Sequence, residues 1–118
     1  MMNKLTLCAV ALAVSAISLN ATADDRIAAG KAVAEKYNCA SCHGADFNTP
    51  IDPSYPKLAG QHHDYLETAL VAYQRGGDGA NGRANAIMQA QAKPLSREEI
   101  RDIAAYLSSL PGSLVLRK

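Results

Sequence analysis

Two thiols and an imidazole fall within five consecutive residues, Cys39-Ala40-Ser41-Cys42-His43. No other stretch of the chain restricts its fold so tightly. Residues three apart on a helical turn share a face, so both sulfurs can reach one flat partner together. His43 follows at once and can turn its ring toward the same partner. The C-x-x-C-H order is that of covalent haem attachment. Each thiol adds across one porphyrin vinyl, the two vinyls sit on neighbouring pyrroles, and the imidazole takes the iron. Bonds from Cys39, Cys42 and His43 would then fix a rigid disc to a short segment, leaving the remaining chain to fold around it.

Three other uses of these side chains compete with that reading. A dithiol redox centre also uses C-x-x-C, but it belongs to a fold with a sheet, and no alternating strand pattern of any length occurs here. A zinc site wants four ligands at paired spacing; Cys39, Cys42, His43, His62 and His63 are the candidates and lack that pairing. A disulfide between cysteines three apart closes a tiny loop and stabilises little. Haem attachment is preferred to all three, and composition favours it too. The chain has one Phe, five Tyr and no Trp, and a small domain buries proportionally little surface. A bulky apolar cofactor would supply the missing core.

The N-terminus reads as an export signal, not a structural element. Lys4 precedes an apolar run from Leu5 to Ile17, and Ala21-Thr22-Ala23 has the small-x-small form of a cleavage site. The run is too short, and too soon followed by Asp24-Asp25, for a permanent membrane span. Cys8 has bulky Leu7 before it rather than the small residue of a lipid-attachment signal, and is expected to leave with the leader. The expected organisation is a cleaved signal over 1–23 and one domain over 24–118, located in the periplasm. Without Lys4, eleven basic side chains face eleven acidic ones. That balance, interspersed along the chain, argues against nucleic-acid binding, which needs a basic face.

Three helical patterns follow. Ile27, Gly30, Ala34 and Tyr37 share a face within Asp25 to Tyr37. Leu66, Ala69, Leu70 and Tyr73 repeat at helical spacing within Gln61 to Arg75. Ser96 and Glu99 form a capping box ahead of the stripe Ile100, Ile103, Ala104 and Leu107, which Pro111-Gly112 ends. Between them lie two long loops, Phe47 to Gly60 with three prolines, and Gly76 to Pro94, rich in Gly, Asn and Ala. The spacing predicts an all-α fold of three principal helices, with room for a short fourth, whose loops need something to wrap around. Met88, the sole methionine after Met1 and Met2, falls in the second loop. As a soft thioether it is preferred for the iron's second axial position. His62 and His63, beside Asp64, are the rival ligands, and an open sixth position is the third possibility.

At this point the chain resembles the class I cytochrome c family, in particular small bacterial members like the halves of cytochrome c4 and cytochromes c553/c554. The resemblance rests on Cys39-Ala40-Ser41-Cys42-His43-Gly44, on Tyr55-Pro56-Lys57-Leu58-Ala59-Gly60-Gln61, and on Leu95-Ser96 through Asp102-Ile103-Ala104-Ala105-Tyr106-Leu107. It implies one haem c per chain, held through Cys39 and Cys42, with His43 and Met88 as axial iron ligands. Pro56 would accept a hydrogen bond from His43 through its carbonyl, Leu58 would cover the haem edge, and Gly30 would let Tyr106 approach where the first and last helices cross. Arg83 and Asn85 would bond haem propionates or steer the loop carrying Met88. Gly30 stands nine residues before Cys39 where the family more often has eight, which implies an extra residue or bulge in the first helix. The implied function is single-electron transfer, not catalysis, from a donor such as a quinol-oxidising complex to an acceptor such as a terminal oxidase or reductase. A haem protein that binds ligands, senses gases or acts as a peroxidase is the alternative, and would need an exchangeable sixth position.

Overall fold

A computed structural model describes residues 21–114 of the protein. Lys4, Cys8 and the apolar run of the expected leader lie outside the described residues. Within them there are five helices and no strand: α1 (Ala23–Lys36), α2 (Ala40–His43), α3 (His63–Arg75), α4 (Ala86–Ala92) and α5 (Arg97–Ser109). The all-α expectation holds, with two short helices added to the three principal ones.

Two of the three long helices, α1 and α5, start on a side-chain cap. Ser96 caps α5, its hydroxyl accepting from the Glu99 N–H at 3.1 Å while the Glu99 carboxylate accepts from the Ser96 N–H at 2.8 Å. That Ser96 N–H and the Lys36 ammonium, 3.1 Å away, hold the Glu99 carboxyl below the usual glutamate range. The same device starts α1, with Thr22 and Asp25 in the two roles. The helix therefore begins two residues before the expected Asp25. A threonine cap satisfies backbone donors that an acidic residue inside the first turn cannot reach.

α1 packs across α5, and this is the main helix contact of the domain. The α5 stripe of Ile100, Ile103, Ala104 and Leu107 is wholly buried. Gly30 sits at the crossing. A Cβ there would collide with the Asp102 carbonyl oxygen and lie 2.7 Å from Cβ of Tyr106, so only glycine permits the approach. Beside it the Arg26 guanidinium meets the buried Asp102 carboxylate at 3.1 Å. Gly30→Ala is expected to overpack this contact at a cost of about 1–3 kcal/mol, read as a melting midpoint lower by roughly 4 °C or more. An unchanged midpoint would show that the crossing can slide apart freely.

Apart from Phe47, Leu66 and Leu95, the rest of the core is made of small side chains. Ala34, Ala59, Ala69, Ala72, Ala92 and Ala104 are buried, and among the described residues Ile100, 1% exposed, is the most shielded of the large side chains. The chain supplies little bulk of its own. α1 itself is regular. The irregularity expected from the longer Gly30-to-Cys39 spacing falls in the following turn, where Asn38 takes a left-handed φ of 54°.

The segment Gly76 to Pro94 differs from its reading as a loop. Residues Ala86–Ala92 are helical, so Met88 rides on α4. Asn85 caps that helix, its side-chain oxygen accepting from the Met88 N–H at 2.9 Å. Its Ala and Gln residues are good helix formers. Gly and Asn ahead of them conceal the helix from a reading by composition. α4 packs on α3.

Candidate functional site

The motif Cys39 to His43 makes one tight helical turn. The backbone N–H of His43 donates to the Cys39 carbonyl at 3.1 Å, and that of Gly44 to Ala40 at 2.9 Å. Gly44 then swings the chain away at φ 87°, where a Cβ would collide with the Thr49 carbonyl oxygen. Cys39 and Cys42 are unpaired, half-buried thiols. Burial pushes the Cys39 thiol up, away from the thiolate that a dithiol exchange centre works through. Among the described residues, no three side chains of His, Cys, Asp or Glu gather as a metal site requires. The redox-dithiol and zinc readings both lose support here.

His43 is buried, and its Nδ1 donates to the Pro56 carbonyl at 2.9 Å. A carbonyl only accepts, so the proton is on Nδ1 and the lone pair on Nε2. Among the described residues, no buried side-chain nitrogen or oxygen lacks a partner. Nε2 makes no hydrogen bond and thus opens onto accessible space. An imidazole held this way, beside two unpaired thiols on one turn, fits a haem iron and its porphyrin edge.

The loop around the motif is tied to it. The Phe47 carbonyl accepts from the N–H groups of Leu58 at 2.8 Å and Ala59 at 2.9 Å. The buried Phe47 ring meets Tyr106 edge-on, centroids 6.0 Å apart, and Tyr55 lies 6.4 Å from the His43 ring. Leu58, Cys39 and Tyr106 all pack on the same core cluster. Tyr55 and Phe47 are site neighbours that spacing alone did not single out. The only signal for Phe47 was its being the sole Phe.

The other expected residues lie on the arm that packs on α3. Arg83 donates to the Tyr65 hydroxyl at 3.1 Å and lies over the rings of Tyr65 and Tyr73. Asn85 caps α4, and Met88 is half-buried one turn further on. The rival His63 has both ring nitrogens on carboxylates, Asp64 at 3.2 Å and Glu67 at 3.1 Å. His62 is exposed at the start of α3.

The family model of cytochrome c matches residues 27–111, from the first helix through the last. The chain belongs to the cytochrome c family. It is similar to cytochrome c-554(548) of Halomonas halodenitrificans, 48% identical over 71 residues, which cover 60% of this chain and 82% of that protein. It is also similar to cytochrome c4 of Stutzerimonas stutzeri, 44% identical over 80 residues, covering 64% of this chain and 38% of that one. A third relative is a thiosulfate dehydrogenase electron acceptor of Thiomonas intermedia, 39% identical over 79 residues, or 67% of this chain and 34% of that protein. The chain thus spans most of the first relative and a little over a third of the other two. This cytochrome is a small class I member that binds haem c covalently, with its iron, and carries electrons to and from redox partners.

Proposed function

We propose that this cytochrome is a periplasmic single-electron shuttle, not an enzyme, whose iron is held by His43 on one side and Met88 on the other. The observation that carries the reading is His43, buried, with its Nδ1 proton given to Pro56 and its Nε2 left free. When bound, haem c supplies an iron that takes up and returns one electron. The chain does the rest. Cys39 and Cys42 tether the group. The Pro56 carbonyl fixes the His43 tautomer and raises its basicity. Met88, its backbone held by Asn85, offers the soft sulfur that favours the reduced iron. Leu58 covers the haem edge, Tyr106 backs the motif through Phe47, and Arg83 serves the propionate side.

Supporting the carrier role, one relative bears the name of an electron acceptor. The donor to this chain is a quinol-oxidising complex or a comparable dehydrogenase, and the acceptor is a terminal oxidase or reductase. No helix among the described residues is long and apolar enough to cross a membrane, and residues 1–23 are the export signal removed on the way out. Carbon monoxide added to the reduced holoprotein tests the reading. A carrier with two protein ligands should show no change in its visible spectrum. A prompt shift to a carbonyl spectrum would make it a ligand-binding haem protein instead.

A further inference from the structure

Gln74, on the last turn of α3, reaches out of its own helix. Its side-chain amide nitrogen donates to the Ala92 carbonyl at 2.9 Å and to the Leu95 carbonyl at 2.7 Å. Ala92 closes α4, and Leu95 leads into α5; both residues are buried. Carbonyls at a helix end have no partner within the helix; here one side chain from another helix serves the last carbonyl of α4, which also accepts from the Leu95 N–H at 3.1 Å, and the Leu95 carbonyl in the linker beyond it.

α4 depends on such help. It has seven residues, too few to persist alone in water. Its front is fixed by the Asn85 cap on the Met88 N–H and by the Arg83 N–H, which donates to the Ala72 carbonyl of α3 at 2.9 Å. Its back is fixed by Gln74. Met88 and Ala92 are four residues apart, so they share one face of α4. Ala92 is completely buried. The carbonyl that Gln74 holds therefore belongs to the residue stacked one turn behind Met88 on the inward face.

We infer that Gln74 is a positioning residue that keeps Met88 seated on the iron. It touches neither haem nor ligand; it holds the helix that carries the ligand. The inference rests on Met88 being the sixth ligand. Withdrawing the Gln74 donors strands the sheltered Leu95 carbonyl and leaves the Ala92 carbonyl with only the Leu95 N–H at 3.1 Å, and the loss falls on the short helix rather than on α3, which keeps its own backbone bonds.

Cyanide reaches a ferric iron only while the protein's sixth ligand is off, so its rate of binding to the ferric holoprotein reads how often α4 lets go. Gln74→Leu should raise that rate on the order of ten-fold or more, the scale of one buried hydrogen bond lost. Gln74→Glu keeps the side chain's length but presents the carbonyls with a carboxylate. It should do the same, and it carries the test if the leucine variant does not accumulate. Arg26→Leu breaks the ion pair with Asp102 at the α1–α5 crossing and should lower the melting midpoint without moving the cyanide rate. Should both Gln74 variants bind cyanide at the wild-type rate while Met88→Ala binds it fast, Gln74 is not a positioning residue and Met88 keeps its role. An equal acceleration in Arg26→Leu would mean general loosening and would overturn the inference too. If Met88→Ala binds cyanide no faster than wild type, the ligand assignment itself fails and the role of Gln74 falls with it.

Discussion

Met88→Ala should yield a protein that keeps its haem yet binds carbon monoxide when reduced, with a reduction potential well below that of the wild type. Electron transfer is fastest when the iron keeps the same ligands in both oxidation states, so a carrier needs a second protein ligand. Met88 is the only thioether after Met2, and it sits half-buried on a helix whose N-cap holds its own backbone N–H. A thioether stabilises the reduced iron, so removing it must lower the potential. Axial ligands move haem potentials across roughly 0.8 V, and the change should take a sizeable part of that span. Met88→His should keep six ligands and still lower the potential, because imidazole is the harder donor. Redox titration and visible spectra with and without carbon monoxide measure all of this. Were spectrum and potential both unmoved in Met88→Ala, Met88 would be packing only, and His62→Ala and His63→Ala would be the next variants to prepare.

The second large effect concerns the tether. Wild-type protein recovered from outside the cytoplasm should have the intact mass of residues 24–118 plus one haem. Its haem should stay on the band in a denaturing gel stained for peroxidase activity. Cys39→Ala or Cys42→Ala leaves one thioether and should cut the yield of holoprotein severalfold. His43→Ala should be worse, since it removes both the proposed iron ligand and the part-buried hydrogen bond to Pro56 at 2.9 Å that joins the motif to its loop. With so many of the buried residues alanines, a chain without the disc has little left to pack, and these variants should also be degraded. Haem that extracts freely into acidified organic solvent from the wild type would sink the covalent assignment, and a mass including Leu5 to Ile17 would mean that the leader stays on.

Much of this fold is written locally. The Ser96–Glu99 box and the stripe behind it place α5 almost to the residue, because a cap and a period of 3.6 are both short-range signals. The attachment turn is likewise readable from five residues. What could not be read has one physical character. Gln74 bonds carbonyls 18 and 21 residues away, and no spacing rule connects an amide to backbone that far off. The Pro56 carbonyl, 13 residues from His43, was expected only from family resemblance. α4 was hidden because its cap, Asn85, and the glycines before it look like loop; what makes it a helix is the surface of α3 beneath it. Thr22 was assigned to the leader, and its capping role at α1 went unread for that reason; cleavage after Ala23 would take this cap away and leave α1 to start without it.

The crossing of α1 over α5 also sets an order of events. Arg26 and Asp102 are 76 residues apart in sequence, and closing a loop of that length costs entropy before any contact repays it. The turn at Cys39 to His43 needs only its neighbours. During synthesis the thiols emerge more than fifty residues ahead of α5, while the buried face of α1 still has nothing to lie against. For that interval Cys39 and Cys42 are as reachable as in an unstructured chain, and chemistry on them does not have to wait for the fold. Docking of the last helix ends the interval and leaves them half-covered, so the join between the chain's two ends acts as a clock for whatever must react in its middle.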